Sequence, residues 1–280
     1  MQTLHTVAEL RAAVRQAGEV AFVPTMGNLH AGHIKLIRTA RQRGLPVVSS
    51  LFVNPLQFGP GEDLEHYPRS LKADATQLAE AGCHILFAPS VTEMYPETQS
   101  CRVIPPLADK LCGASRPGHF AGVATVVLKL FNMVQPRVAL FGKKDYQQLF
   151  ILRLMTRQFN LPIEILGIDT VRAEDGLALS SRNGYLSTAE RAEAPRLYQT
   201  LQTLAAALVA GKTDLAMLED SAAAELTQHG WQVDYVQVRA QSTLLAPAAT
   251  EAACVVLAAA RLGNTRLIDN LEVTRPVQAV

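Results

Sequence analysis

Two histidines and two glycines share the turn VPTMGNLHAGH, residues 23–33, directly after a short apolar run. An imidazole donates hydrogen bonds and can carry a proton near neutral pH. His30 and His33, at i and i+3, project from one face if a helix begins near Gly32. Gly27 and Gly32 permit tight turns and let a ligand approach backbone N–H groups, and the start of a helix aims its positive end at the same spot. The chemistry expected of this turn is anion binding, with phosphate as the anion. Zinc has less support, because the glutamate of HExxH is missing and no third ligand is evident. The turn is neither GxGxxG nor GxxxxGK[ST], so it carries neither the dinucleotide fingerprint nor the Walker loop.

The elements that must position this turn are legible as alternating runs. VAFVP, VVSSLFV, HILFAP, RVALFG and IEILGI have strand length and are apolar on both faces, and IKLIRTARQRG, LKADATQLAEAG and YQQLFILRLMTRQF have helical periodicity between them. The fold class expected is α/β: a Rossmann-like, doubly wound parallel sheet covered on both sides, with a smaller C-terminal α+β domain. Thr6 with Glu9 and Ser187 with Glu190 have the spacing of reciprocal helix caps. A polar connector, RAEDGLALSSRNGYLS, precedes two alanine-rich helical stretches, about 189–210 and 214–229, and three strand-like runs. A Gly-Asn pair in RLGNTRLI marks a hairpin. The expected domains are residues 1–175, which carry the anion-binding turn, and residues 176–280.

The chain has 280 residues, 49% of them hydrophobic, and a net charge of +1, so nothing in its composition points to nucleic acid or to an anionic membrane as partner. No segment approaches the roughly 20 apolar residues of a membrane span. Cys83, Cys101, Cys112 and Cys254 show no CxxC or His/Cys pairing, which argues against a disulfide framework and fits a reducing cytoplasm.

HAGH is similar to the HxGH signature of a nucleotidyltransferase superfamily. The ordered blocks VPTMGNLHAGH, SLFVNPLQF, EDLEHYPRS, LFAPSVTEMYP, GASRPGHFAGVATVVLKLFNMVQP, ALFGKKDYQQL and DGLALSSRNGYLS, with RLIDN near the end, resemble the pantothenate synthetase family. The resemblance implies ATP-dependent condensation of pantoate with β-alanine through a pantoyl adenylate, with ATP and Mg2+ required and a homodimer as the assembly. It also implies that residues 1–175 bind nucleotide and substrate and that residues 176–280 close over them as a lid.

It implies that Met26, Gly27, Asn28, Leu29, His30, Ala31, Gly32 and His33 hold ATP, with His30 and His33 at the phosphates and His33 the proton donor. Lys144 would meet the phosphates beside Lys143, and Gly142 and Asp145 the ribose. Asp145, ahead of a helical pattern, can equally be a helix cap. Ser180, Ser181 and Arg182 suit pyrophosphate oxygens, and Val171 and Leu179 adenine. His33, His30, Lys144 and Arg182 are thus the expected catalytic groups. Gln57 and Gln148 would hold pantoate, with Pro24, Met26 and Phe58 as the apolar wall. Asp74 and Gln77 are expected as water-mediated partners of magnesium, and Arg116 and His119 are placed near β-alanine or phosphate.

Two positions depart from the family's pattern: Lys143 stands where glutamate is frequent, and Ala121 where arginine is frequent. Two other functions are compatible with HxGH, because fold does not fix chemistry. One is adenylylation of a phosphorylated small molecule, which needs a basic acceptor pocket; the other is nucleotide sensing without catalysis.

Overall fold

A computed structural model describes residues 1–62, 64–65, 67 and 70–277. Asp63, His66, Pro68 and Arg69 of EDLEHYPRS lie outside the described residues. In chain order the elements are β1 (Gln2–Leu4), α1 (Val7–Ala17), β2 (Ala21–Thr25), α2 (Ala31–Gln42), β3 (Val47–Leu51), α3 (Leu71–Ala81), β4 (Ile85–Phe87), α4 (Val91–Met94), α5 (Cys112–Ser115), α6 (His119–Val134), β5 (Val138–Gly142), α7 (Tyr146–Gln158) and β6 (Glu164–Ile168). There follow α8 (Thr188–Glu193), α9 (Arg196–Val209), α10 (Leu215–Gln228), β7 (Gln232–Ala240), β8 (Ala253–Leu262) and β9 (Thr265–Thr274).

The chain divides into two compact units, Met1–Lys143 with Gln147–Asp169, and Lys144–Tyr146 with Thr170–Val280. The division falls at Asp169/Thr170 rather than after residue 175, and it assigns a tripeptide of the GKKD block to the second unit.

In the first unit six strands lie in the order β1-β4-β3-β2-β5-β6, and every pairing is parallel. Successive side chains of a strand point to opposite faces, so a central strand must be apolar on both. Ala21 and Val23 of β2 join the core beneath α2 and α3 with Ile37, Ala40 and Leu78. Phe22 points the other way and meets Phe131 of α6 edge-on, with ring centroids 6.5 Å apart. The chain winds from β2 toward β3 and β4 on one side and toward β5 and β6 on the other, which makes the gap beyond the carboxyl ends of β2 and β5 a switch point, the usual ligand position in such sheets. All five expected strands of this sheet are present, and the short edge strand β1 and the helix α6 add to them.

In the second unit β7, β8 and β9 form an antiparallel sheet, and Leu262 pairs with Thr265 across the expected Gly-Asn turn. Leu197, Leu201, Leu204 and Leu208 line one side of α9 and pack with Trp231, Val238 and Val256. The first alanine-rich stretch is two helices rather than one, because Pro195 cannot continue α8 and instead sits at the start of α9. Both expected capping boxes, Thr6–Glu9 and Ser187–Glu190, are formed.

Candidate active site

The turn 26–33 leaves the carboxyl end of β2 and enters α2, whose N-cap is His30. His30 Nδ1 accepts from Gly32 N at 3.1 Å, and His33 Nδ1 accepts from His30 N at 3.3 Å. The two imidazoles therefore cap the helix reciprocally, a role usually filled by Ser, Thr or Asp with Glu. Because each Nδ1 is an acceptor, the proton of each neutral ring resides on Nε2, which makes both Nε2 atoms donors. The ring centroids are 4.1 Å apart. Gly32 is required by this packing, since a Cβ there would lie 2.8 Å from His30 Cε1 and 2.9 Å from Nδ1.

The approach to the cap is bent through positive φ at Gly27 (92°) and Asn28 (51°). What holds the bend is Asp74 of α3, only 2% exposed. Its Oδ2 accepts from Asn28 N and its Oδ1 from Leu29 N, both at 2.9 Å, and Ser70 Oγ donates to Oδ2 at 3.0 Å. Asp74, expected beside magnesium with Gln77, thus spends both oxygens on the turn. Asp74→Asn replaces one acceptor by an N–H facing another N–H, and a buried donor left unpaired costs about 1–3 kcal/mol. The expected result is a lower melting temperature together with weaker nucleotide binding, read by thermal denaturation and calorimetric titration; an unchanged protein on both counts would contradict this role.

Beyond β3, Asn54 caps a 3-10 turn, Pro55–Gln57. Gln57 is 8% exposed; its Nε2 donates to Met26 Sδ at 3.2 Å, and its Oε1 accepts from Asn54 Nδ2 at 3.1 Å. Asn54 also donates to Gly122 O at 3.2 Å and accepts from Tyr95 Oη at 2.8 Å. Burial pushes the Tyr95 hydroxyl pKa well up, so Tyr95 remains a donor across neutral pH. The structure therefore joins Gln57 to the start of the HxGH turn. It also reveals Asn54, which sequence reasoning passed over although an Asn before Pro is a recognised turn signal. Pro24 lies in β2 beside Ser50, and Phe58 packs edge-on against Tyr67, with centroids 5.9 Å apart. Of the glutamine pair in α7, Gln147 is the buried one, donating to Leu107 O and Lys110 O, both at 2.9 Å, whereas the expected ligand Gln148 is half-buried.

GKKD follows β5, and β5 pairs directly with β2. Gly142 is the last residue of that strand. Lys143 Nζ reaches Asp169 Oδ1 at 2.9 Å, and this bond and its charge hold the Asp169 carboxyl below its usual range. The lysine that departs from the family's pattern is thereby engaged by an acid at the end of β6.

In the second unit, Lys144 O accepts from Asn270 Nδ2 at 2.9 Å, and Tyr146 Oη donates to Glu272 Oε1 at 3.0 Å. Asp145 ends a 3-10 turn that leads into α7. Leu179 N donates to Val171 O at 2.9 Å, so the two expected adenine contacts are neighbours in a narrow hairpin turning at Gly176. Arg172 in that hairpin binds Asp269 through two bonds, 2.6 and 2.9 Å, and lies over the Tyr198 ring. Ser180 caps the next 3-10 turn by accepting from Arg182 N at 3.3 Å, which places Ser180, Ser181 and Arg182 in one short bend.

A family model described as Pantoate-beta-alanine ligase matches residues 2–272. The chain belongs to that family. Pantothenate synthetase from Thiobacillus denitrificans is 60% identical over 98% of this chain and 98% of that protein. Pantothenate synthetase from Thermus thermophilus superposes with a TM-score of 0.92 at 49% identity, covering 98% of this chain and 100% of that one. The pantoate-beta-alanine ligase of Francisella tularensis, solved with beta-gamma ATP and beta-alanine, gives 0.82 at 32% identity over 97% of each chain. In the pantoate-beta-alanine ligase fold, then, a histidine-capped helix start and the GKKD block follow adjacent strands at the sheet's switch point.

Proposed function

We propose that this chain condenses pantoate with β-alanine at the expense of ATP. The observation that carries the reading is that β2, which leads into HxGH, and β5, which leads into GKKD, are paired parallel strands, with the uncharged amide of Gln57 against Met26. In the first step a pantoate carboxylate oxygen attacks the α-phosphorus and pyrophosphate leaves. In the second the neutral amine of β-alanine attacks the acyl carbon, AMP leaves with the bonding electron pair, and the proton shed by the nitrogen passes to solvent.

Both steps need position and charge stabilisation more than a protein nucleophile. The Nε2–H groups of His30 and His33 donate to phosphate oxygens where negative charge grows, and Lys144, Ser180, Ser181 and Arg182 donate to the departing pyrophosphate. Lys143, Asp145 and Gly142 belong to the nucleotide side, with Val171 and Leu179 at adenine. Gln57 and Gln148 hold the hydroxy acid against Pro24, Met26 and Phe58.

Magnesium, which the family resemblance implies, would supply positive charge to the triphosphate. Asp74 and Gln77 would meet the ion only through water, Asp74 with two backbone N–H groups and Ser70 Oγ already on its carboxylate. Among the described residues no helix is long and apolar enough to cross a membrane. A homodimer, implied by the family resemblance, and a reducing cytoplasm, which the cysteine spacing fits, complete the proposal.

Exchange of labelled pyrophosphate into ATP tests the reading. Exchange is expected to require pantoate and magnesium but no β-alanine. Dependence on a phosphorylated acceptor instead would favour the adenylylating alternative, and nucleotide binding without exchange a sensor.

A further inference from the structure

Glu62, Arg116 and His119 form a connected set that the proposed chemistry leaves unused. Arg116 donates to Glu62 twice, Nε to Oε1 at 3.0 Å and Nη2 to Oε2 at 2.5 Å, and its Nη1 lies 2.9 Å from His119 Nε2. On the other side of the ring, His119 Nδ1 lies 2.9 Å from the carbonyl oxygen of Gln57. The direction of each bond follows from donor chemistry. A guanidinium only donates, so His119 Nε2 is the acceptor; the ring proton then sits on Nδ1 and is given to Gln57 O. The imidazole is neutral, buried and held in one tautomer, with Phe120 edge-on against it at 4.9 Å.

The carbonyl at stake is the last of a three-residue 3-10 turn, where the helix itself supplies no partner. Glu62 belongs to the segment after that turn. Burial pushes its carboxyl pKa up, but the hydrogen bonds and charge of Arg116 outweigh burial and hold it below the usual range. The Arg116–Glu62 pair is largely screened from water, with 16% and 23% of the two side chains exposed, so it is stronger than an exposed ion pair.

We propose that Glu62, Arg116 and His119 are positioning residues for the hydroxy acid: the relay fixes the Gln57 carbonyl, and through it the Gln57 amide, only while the 58–62 segment is docked. The inference rests on Gln57 being a pantoate contact. It gives Arg116 a task inside the protein, with three of its five N–H directions committed, in place of the direct substrate contact expected from sequence.

The test is steady-state pyrophosphate exchange by the full chain, with KM measured separately for pantoate and ATP. Losing one placed hydrogen bond corresponds to about tenfold, so His119→Ala is expected to raise the pantoate KM about tenfold and leave the ATP KM within about twofold. His119→Asn keeps an N–H at the place of Nδ1 and is expected to recover most of the loss. Glu62→Ala is expected to raise the pantoate KM several-fold. Equal shifts in both KM values, no recovery with Asn, or a lower pantoate KM in Glu62→Ala would overturn the proposal, the last because it frees Arg116 to touch substrate directly. Should His119→Ala fail to fold, Glu62→Ala decides alone. A wild-type chain without pantoate-dependent exchange would instead bring down the functional reading and this inference with it.

Discussion

His33→Asn is expected to form the acyl adenylate about a hundredfold or more slowly than the wild-type chain, since one well-placed donor to developing charge is worth roughly 3 kcal/mol in the transition state. The choice of asparagine matters. His33 Nδ1 caps His30 N at 3.3 Å, and an asparagine Oδ1 can take over that bond, whereas nothing in asparagine replaces Nε2–H. Alanine would remove both and confuse a loosened helix start with lost chemistry. ATP affinity is therefore expected to stay within a few-fold for asparagine while single-turnover adenylation collapses. Wild-type single-turnover rates in His33→Asn would confine the histidine to capping.

Gly122→Ala is expected to destabilise the protein by about 1–3 kcal/mol, the cost typical of an overpacked core. At an exposed helical site the same change stabilises by about 1 kcal/mol, because alanine is the better helix former. The sign reverses here because α6 crosses the turn at Pro55–Gln57 with backbone against backbone. A Cβ on Gly122 would lie 2.3 Å from Leu56 O, 2.5 Å from Leu56 C and 2.6 Å from Gln57 N. None of these atoms belongs to a flexible side chain that can swing aside. The turn must retreat, carrying Gln57 away from Met26, so the pantoate requirement for exchange is expected to rise along with the loss of stability. Chemical denaturation and exchange kinetics measure the two effects, and a variant as stable as wild type would show that the turn yields freely.

The elements legible in the sequence were those whose burial leaves a periodic trace. β2, β3, β4, β5 and β6 are short apolar runs because both faces of a central parallel strand are covered, and the Gly-Asn hairpin between β8 and β9 is local turn chemistry. α6 left no such trace: buried residues run from His119 through Val134 on nearly every side, so it lacks the polar stripe that marks a helix. β1 is three residues long and mostly exposed. In the candidate site, residue types and spacing set an expectation of anion binding at HxGH, yet they gave no sign that the same imidazoles cap the helix, because histidine is not among the usual capping residues. The bond from Asp74 to Asn28 spans 46 positions, and that of His119 to Gln57 spans 62. Contacts of that range arise only when the sheet brings α3 and α6 beside the loops that follow β2 and β3, which no local pattern records.

The placement of Lys144–Tyr146 with the C-terminal unit means that the polypeptide passes from one unit to the other three times, at 143/144, 146/147 and 169/170, instead of once. A fragment ending at Asp169 would therefore not be a smaller version of the first unit. It would keep the tripeptide but discard Asn270 and Glu272, which bind its backbone and its tyrosine. Grafting the C-terminal portion of a relative onto this chain at a single splice point would likewise pair a native tripeptide with foreign partners, so a successful chimera must exchange residues 144–146 together with everything beyond 169.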